Sequence, residues 1–288
     1  MSRPIPTYEL ATLMAGPGPV PGLFFSPQAP RPAVRIDLPY RSGYYKIGIC
    51  LRGHAQLKVN LDEFDIRPTS LVLTTPHSIK QWLHISPDYQ AVDVFFTRDF
   101  LVTADFDPDQ LPCFAPSAPS ALPLPTASAQ VLMTAMQLLQ ARCQQATGPY
   151  QVQIAQRLVQ ALLYELAAAY EASPRPSLPV PARASLLLLR FKELVTQHYL
   201  TERSLAFYAA QLCITPKHLT ETVKQLTGRT AGEWLAETLA LEAKVLLHDP
   251  ARSIGQVADQ LHFRDQSAFG RFFRNCTGLS PSAYRQSL

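Results

Sequence analysis

One pattern occurs twice in the C-terminal third of the chain, in residues 204–228 and again about fifty positions later in residues 253–278. Each copy begins with a serine, continues through a short stretch with small residues at its centre, and reaches a brief turn, a second helical stretch and a closing Thr-Gly pair. The polar residue before the second stretch, Thr215 or Asp265, can accept hydrogen bonds from the free N–H groups of a first helical turn. Because small residues let two short helices cross closely, each copy predicts a helix-turn-helix.

Helical spacing divides the second helix of each copy into an apolar face and a polar face. The apolar positions, which we expect to be buried, are Leu219, Val223 and Leu226 in the first copy and Phe269, Phe272 and Phe273 in the second. The positions predicted to be exposed are Lys217, Thr220, Glu221, Lys224, Ser267, Gly270, Arg271 and Arg274. A polar face that ends in basic residues fits a helix in the major groove of DNA, with base contacts near its N-terminus and phosphate contacts further along.

The second copy, SIGQVADQLHF followed by DQSAFGRFFRNCTGLSPSAYR, resembles the signature of the AraC/XylS family of bacterial transcriptional regulators. The resemblance covers roughly residues 184–287. It implies an all-α domain of seven helices in which one long helix, here AGEWLAETLALEAKVLL, joins the two motifs. That helix would hold the two recognition helices about one DNA turn apart, roughly 34 Å, so that both enter the major groove on one side of the duplex.

The resemblance also implies roles for individual positions. The base-reading positions by alignment are Lys217, Thr220 and Glu221 in the first recognition helix and Gln266, Ser267 and Arg271 in the second, and the phosphate contacts are Lys224 and Arg274. Arg271 is the strongest candidate, because an arginine can pair bidentately with a guanine edge.

Three departures from the family pattern bear on these roles. Cys213 and His262 stand in turns where the family often has glycine, so a positive φ would strain both residues. Glu221 stands where an arginine is frequent, and a carboxylate there would repel phosphate. The first motif is therefore expected to contribute less affinity than the second. Val223 replaces a frequent phenylalanine with a smaller core residue.

Proline marks the boundaries in the rest of the chain. The 26 prolines concentrate in the N-terminal arm, in residues 108–125 and in PRPSLPVP at 174–181, a segment typical of a semi-rigid linker. Residues 40–104 show short alternating apolar runs that indicate an antiparallel sandwich or barrel, and residues 127–172 change to the period of two amphipathic helices.

The predicted fold class is therefore α+β and multidomain, and the family resemblance makes the N-terminal part a cupin-like antiparallel β-barrel with a helical pair. The predicted boundaries are 1–126 for the arm and barrel, 127–172 for the helical pair, 173–182 for the linker and 183–288 for the double helix-turn-helix domain. The apolar face of the pair, which includes Val131 and Leu138, could pack on its own domain or against a second subunit. Large exposed apolar patches are uncommon on monomers, which favours a homodimer.

In regulators of this family the N-terminal domain usually senses a small molecule. Tyr45, Ile47 and Ile49 lie on one face of a predicted strand, Lys46, Cys50 and Arg52 lie on the other, and the sequence does not decide which face is inside. The candidate ligand-binding residues are Tyr45, Ile47, Ile49 and Arg52, the last as a partner for an anion. His54, His77 and His84 lack the His-x-His start of metal-binding cupins, so no metal, cofactor or catalytic residue is predicted.

Charge and composition agree with a DNA-binding protein. Residues 183–288 hold 13 Lys and Arg against 9 Asp and Glu, whereas residues 1–182 hold 13 of each class, so the net charge of +4 belongs to the C-terminal third. Five scattered cysteines without a CxxC pair predict reduced thiols, and the lack of a signal peptide or long apolar run predicts a cytoplasmic protein without a membrane segment.

The sequence thus predicts a sequence-specific transcription factor that binds double-stranded DNA and is regulated by a small-molecule effector, with RNA polymerase as a further candidate partner. Two alternatives stay open. One is an effector-independent regulator that uses the barrel only as a dimerisation scaffold. The other is a cupin enzyme with an accessory DNA-binding domain.

Overall fold

The computed structural model describes residues 7–8, 20–26, 36–101, 106–145, 148–173 and 182–287. The chain divides into two compact units, an N-terminal unit that ends at Arg175 and a C-terminal unit that begins at Pro176. The predicted linker, PRPSLPVP, and most of the N-terminal arm lie outside the described residues. None of the described helices is long and apolar enough to cross a membrane.

Antiparallel strands make up most of the N-terminal unit. The described strands are β1 (Thr7–Tyr8), β2 (Leu23–Phe25), β3 (Arg41–Ser42), β4 (Tyr45–Arg52), β5 (Ala55–Val59), β6 (Asp62–Ile66), β7 (Ser70–Thr74), β8 (Lys80–Ile85), β9 (Gln90–Phe96) and β10 (Ala121–Pro123). A five-stranded sheet has the order β10-β7-β4-β9-β2, a three-stranded sheet has the order β6-β5-β8, and β1 pairs with β3 in parallel. The antiparallel prediction is confirmed, while the cupin-like barrel stays a prediction.

Strand β4 is buried on both faces over most of its length. Tyr45, Ile47 and Ile49 pack into one core together with helical residues. Cys50, on the opposite face, packs against the three-stranded sheet, where Leu57 is among its neighbours. The two sheets therefore lie face to face, and the helices cover the other side of the five-stranded sheet.

The helical pair belongs to the same core as the five-stranded sheet. After the short helix α1 (Arg98–Leu101) and two 3-10 turns (Pro108–Gln110 and Pro112–Phe114), the chain forms α2 (Thr126–Gln145) and α3 (Gln151–Ala172), which contact each other. The buried positions of α2 include Leu132, Met136 and Leu139. Val131 and Leu138 are 52% and 53% exposed, so these two residues do not pack on their own domain. The pair packs on its own domain through the neighbouring stripe, and a homodimer stays a prediction.

The C-terminal unit is helical throughout. Over residues 182–287 it contains seven helices: α4 (Ala182–His198), α5 (Leu205–Gln211), α6 (Pro216–Thr227), α7 (Ala231–Leu247), α8 (Ile254–Gln260), α9 (Gln266–Thr277) and α10 (Pro281–Gln286). The joining helix α7 starts at a capping box, in which Thr230 Oγ1 accepts from the Glu233 N–H at 3.2 Å and the Glu233 carboxylate accepts from the Thr230 N–H at 2.7 Å. Helix α7 contacts both α6 and α9, as the predicted architecture requires.

Candidate nucleic-acid interface

The two predicted helix-turn-helix motifs are present. Helices α5 and α6 form the first, and α8 and α9 form the second. The side chain of Thr215 accepts from the His218 N–H at 3.2 Å, and the side chain of Asp265 accepts from the Ala268 N–H at 2.7 Å. Each recognition helix therefore begins at the polar residue that the sequence marks as its N-cap.

The turn of each motif contains a non-glycine residue with positive φ. Cys213 and His262 both have a φ of 54°. Immediately after them, the N–H groups of Ile214 and Phe263 donate to the carbonyl five residues earlier, at 3.0 and 2.9 Å. This six-to-one bond is the Schellman end of a helix, which favours glycine at the left-handed position. The strain predicted for both residues is therefore built into the two turns.

Both recognition helices also end in the same way. Gly228 and Gly278 have φ values of 76° and 78°, in the left-handed region. The threonines before them, Thr227 and Thr277, each donate a side-chain hydrogen bond to the carbonyl four residues earlier at 2.8 Å. These ends limit α6 and α9 to 12 residues each. The two helices thus present surfaces of equal length.

The first recognition helix, α6, buries Leu219 and Val223 completely, and Leu226 is half-buried. Its outward face carries the four predicted DNA contacts, of which Thr220 is half-buried and three are exposed: Lys217, Glu221 and Lys224. The predicted division between inner and outer faces is confirmed for this helix.

A carboxylate interrupts the positive charge on α6. Lys217 Nζ lies 4.0 Å from Glu221 Oε1, and the two side chains are 83% and 64% exposed. An ion pair that is so exposed contributes little to stability. Its consequence lies at the surface, because Glu221 offsets one of the two lysine charges that α6 offers to a polyanion.

The second recognition helix, α9, also has a buried apolar face and an outward polar face. Phe269 and Phe273 are fully buried, and Phe272 is half-buried. The outward face holds the five predicted contacts, of which Gly270 is half-buried and four are exposed: Gln266, Ser267, Arg271 and Arg274. A Cβ added to Gly270 would meet nothing within 4 Å, so the surface beside Arg271 is open.

The arginines on the outer face of α9 form no ion pair of the kind seen on α6. Within residues 182–287, no carboxylate lies within ion-pair distance of Arg271 or Arg274. The N-cap, Asp265, interacts with Arg271 only over a longer range. Its pKa lies below the usual value because its carboxylate accepts from the Ala268 N–H and, secondly, from the Arg264 side chain. The two arginines are therefore available to bases and phosphates.

Comparison with known proteins agrees with this geometry. Residues 208–287 match the protein family described as helix-turn-helix domain. Over 266 residues the chain is 24% identical to the arabinose operon regulatory protein of Salmonella typhimurium, covering 87% of this chain and 86% of that protein. Over 144 residues it is 30% identical to the transcriptional activator RhaR of Pectobacterium atrosepticum, covering 45% of this chain and 46% of the relative. Residues 208–287 therefore belong to a helix-turn-helix domain, and over most of its length the chain is similar to bacterial transcriptional regulators.

Among solved structures, the chain is similar to ToxT from Vibrio cholerae with a bound unsaturated fatty acid. The sequence identity is 16%, and the alignment covers 93% of this chain and 94% of ToxT. The TM-score is 0.40, which is too low to support a detailed structural comparison.

Arg203 joins the two motifs of the regulator and was not predicted. It directly precedes Ser204, the N-cap of α5. Its guanidinium donates to the Leu261 carbonyl at the end of α8 and lies 4.1 Å from the centroid of the Phe263 ring. One side chain therefore ties the start of the first motif to the turn of the second. A single arginine outside any periodic pattern gives no signal of such a role in sequence.

The predicted ligand-binding residues of the N-terminal unit are not brought together. Tyr45, Ile47 and Ile49 are fully buried against the helical pair, and the Tyr45 hydroxyl donates to Asp109 Oδ1 at 2.5 Å. The side chain of Arg52 is 71% exposed and lies 3.6 Å from Asp88. Their role in ligand binding stays a prediction.

The structure also shows the positions of the three histidines considered as metal ligands. The rings of His54 and His84 stack with centroids 5.1 Å apart, and His77 is exposed. Among the residues that the structure describes, no group of three or more His, Cys, Asp or Glu side chains is arranged to hold a metal ion.

Proposed function

We propose that this regulator recognises a specific promoter sequence with both motifs, and that α9 supplies most of the discrimination between bases. One observation carries the proposal: Phe269 and Phe273 hold α9 in the core, while Arg271 stands on the opposite face without a carboxylate partner. A bidentate contact from such an arginine to guanine O6 and N7 would contribute about 1–3 kcal/mol of discrimination. Helix α6, with Glu221 on its outer face, would contribute mainly positioning.

We further propose a homodimer controlled by a small-molecule effector bound in the N-terminal unit. The similarity to the arabinose operon regulatory protein extends over 87% of this chain and so includes the N-terminal unit, which supports a regulatory role for that unit. Val131 and Leu138 support the dimer, because they are exposed and lie two helical turns apart on α2. Sedimentation of the full chain would reveal the dimer, and a monomer at micromolar concentration would contradict it.

A regulator of this kind acts where the promoter is, so we propose that it works in the bacterial cytoplasm and, at the promoter, contacts RNA polymerase. Because its relatives are named as regulators, we propose no catalytic activity. An effector that binds but leaves promoter affinity unchanged would favour the scaffold alternative, in which the N-terminal unit only dimerises.

The test of promoter recognition is binding of the full chain to DNA from its own upstream region and to a scrambled duplex, across a salt series. We expect wild type to prefer the upstream DNA, and Arg271→Ala to lose about 1–3 kcal/mol of that preference with little change in the salt slope. Glu221→Ala should leave the preference within about 0.5 kcal/mol of wild type.

The matched control is Arg142→Ala, which removes one exposed positive charge from α2 in the N-terminal unit. It should bind both duplexes as wild type does. Equal affinity of wild type for the two duplexes would overturn the proposed specific recognition. Full preference in Arg271→Ala would show instead that α9 does not read the bases.

A further inference from the structure

The space between the two sheets contains a buried cation that the proposed DNA contacts do not use. Lys80 of β8 is 2% exposed, and its Nζ lies 6.0 Å from the Tyr40 ring centroid and 5.4 Å from that of Tyr44. Its ammonium group donates to the hydroxyl of Ser42, which carries no charge. Within the described residues, no carboxylate forms an ion pair with Lys80. An ammonium buried without a counter-charge is costly, and an anion would offset that cost.

A second lysine in the same space already has its partner. Lys46 Nζ lies 3.1 Å from Asp93 Oδ1 and 5.1 Å from the Trp82 ring centroid. Gly48 makes room for this pair, because a Cβ at that position would collide with the Asp93 carboxylate. Asp93 is thus paired with Lys46, and among the residues that the structure describes no carboxylate balances the charge of Lys80.

A hydroxyl group beside this pair has no hydrogen-bond partner. Thr74 of β7 is the cross-strand partner of Lys46, so the two side chains share the sheet face that looks toward the three-stranded sheet. Thr74 is 3% exposed, and its Oγ1 makes no hydrogen bond within the described part of the chain. Buried hydroxyls are nearly always satisfied, so the Thr74 hydroxyl has hydrogen-bonding capacity for a further group.

We propose that Lys80, Thr74 and the rings of Tyr40, Tyr44 and Trp82 form a binding site for a small organic carboxylate with a ring-shaped body. The carboxylate would accept from the Lys80 ammonium and the Thr74 hydroxyl, and the aromatic rings would contact the body of the ligand. A monoanion fits better than a dianion, because one positive charge is unmatched and burying a second negative charge costs more. The inference rests on the proposed function in taking this ligand as the effector.

Protonation of Lys80 makes binding depend on pH. Burial and, secondly, the charges of Lys46 and Arg41 lower the pKa of Lys80 to about 7. The charged and titratable groups that face it are Arg41 of β3, Lys46 of β4 with its partner Asp93 of β9, and the flanking Tyr40 and Tyr44. A bound carboxylate favours the ammonium form, so binding takes up a proton above pH 7. The affinity should therefore fall by up to about tenfold per pH unit as the pH rises.

Benzoate and its neutral isostere benzamide are suitable probes. The chain has two tryptophans, so in a Trp234→Phe background the emission of Trp82 reports on this space alone. We expect benzoate to change that emission and to bind at least tenfold more tightly than benzamide at pH 6. Lys80→Met should weaken benzoate binding at least tenfold, and Thr74→Val should weaken it severalfold.

The control is Lys58→Met. Lys58 lies on β5, next to β8, and is paired with Glu63 of β6, so the benzoate affinity of this variant should stay within twofold of wild type. Circular dichroism would verify that each variant is folded. Equal binding of benzoate and benzamide, no benzoate binding by wild type, or unchanged benzoate binding by folded Lys80→Met would each overturn the site.

Promoter affinity, measured on the same protein with and without benzoate, separates the two proposals. Absence of benzoate binding with intact promoter preference contradicts the carboxylate site alone. Loss of promoter preference with intact benzoate binding contradicts the proposed recognition of DNA alone.

Discussion

The two helix-turn-helix motifs have the same backbone and different outer surfaces. Their helix lengths, positive-φ turn residues and terminal glycines correspond, although the turn before α9 is one residue longer. On the outer face, Glu221 of α6 corresponds to Arg271 of α9, and at the N-cap the neutral Thr215 corresponds to the ionised Asp265. Caps, turns and buried side chains thus define the motif, which leaves the outer residues free to differ. The exchange of Glu221 for Arg271 is the basis for the proposal that the second motif contributes more DNA affinity.

The inner faces differ in volume, and this difference should have the largest effect on stability. Val223 and Phe273 occupy equivalent positions and are both fully buried. Phe273→Ala should lower the free energy of unfolding of the C-terminal unit by about 3–5 kcal/mol, since it removes a whole ring from the core. Val223→Ala removes two methyl groups and should cost roughly 1.5–2.5 kcal/mol.

Denaturant unfolding followed by Trp234 emission in a Trp82→Phe background would measure both variants within the C-terminal unit. Equal losses for the two variants would mean that the cores collapse to a similar extent despite their different volumes. That result would contradict the prediction that Phe273 contributes more stability than Val223.

Local chemistry explains why this half of the molecule could be predicted from sequence. Helix α7 spans the segment AGEWLAETLALEAKVLL, and it begins there because Thr230 and Glu233 form a capping box within four residues. The positive φ of Cys213 and His262 follows from the position of each residue at a helix end. N-caps and helix ends depend on residues close together in the chain, so they can be predicted from the sequence.

Features that depend on contacts distant in sequence could not be predicted. Strand β4 is buried on both faces, so alternation does not reveal that Ile47 faces the helices and Lys46 faces the second sheet. Leu132 and Leu139 of α2 are buried and the adjacent Val131 and Leu138 are exposed, a choice that the sequence leaves open because both faces of that helix carry large apolar residues. Lys80 and Arg203 acquire their roles from partners about 40 and 60 residues away.

The strained turns provide a smaller test of the comparison. A non-glycine residue in the left-handed region costs about 1–2 kcal/mol. Glycine avoids this strain, but part of the gain is offset because glycine loses more conformational entropy on folding. Cys213→Gly should therefore raise the free energy of unfolding by about 0.5–1 kcal/mol. The gain for His262→Gly should be smaller, since histidine tolerates positive φ better.

The control for this pair is His218→Gly, which places glycine in the first turn of α6 and should cost about 0.5–1 kcal/mol. Thermal unfolding of the three variants would rank them by stability. Destabilisation by both turn substitutions would show that the side chains of Cys213 and His262 contribute contacts that outweigh the backbone strain.

The smallest expected effect concerns the N-caps. The pKa of Asp265 is lowered first by the hydrogen bond from the Ala268 N–H, so the ionised form stabilises the folded helix. A carboxyl group with a lowered folded pKa contributes stability that is present above its unfolded value, near 3.9, and is lost as the pH falls through the folded value. Thr215 carries no charge, so its N-cap on α6 should not lose stability as the pH falls.

Amide chemical shifts recorded from pH 5 to pH 3 would detect this asymmetry. The Ala268 N–H should titrate with a midpoint below 3.9, whereas the His218 N–H should show no transition with that midpoint. Asp265→Asn keeps the capping oxygen and removes the ionisation, so it should abolish the Ala268 transition. Persistence of that transition in Asp265→Asn would place its source elsewhere and remove the charged cap from the differences between the two motifs. Its disappearance would show that the second motif alone carries an acid-sensitive start to its recognition helix.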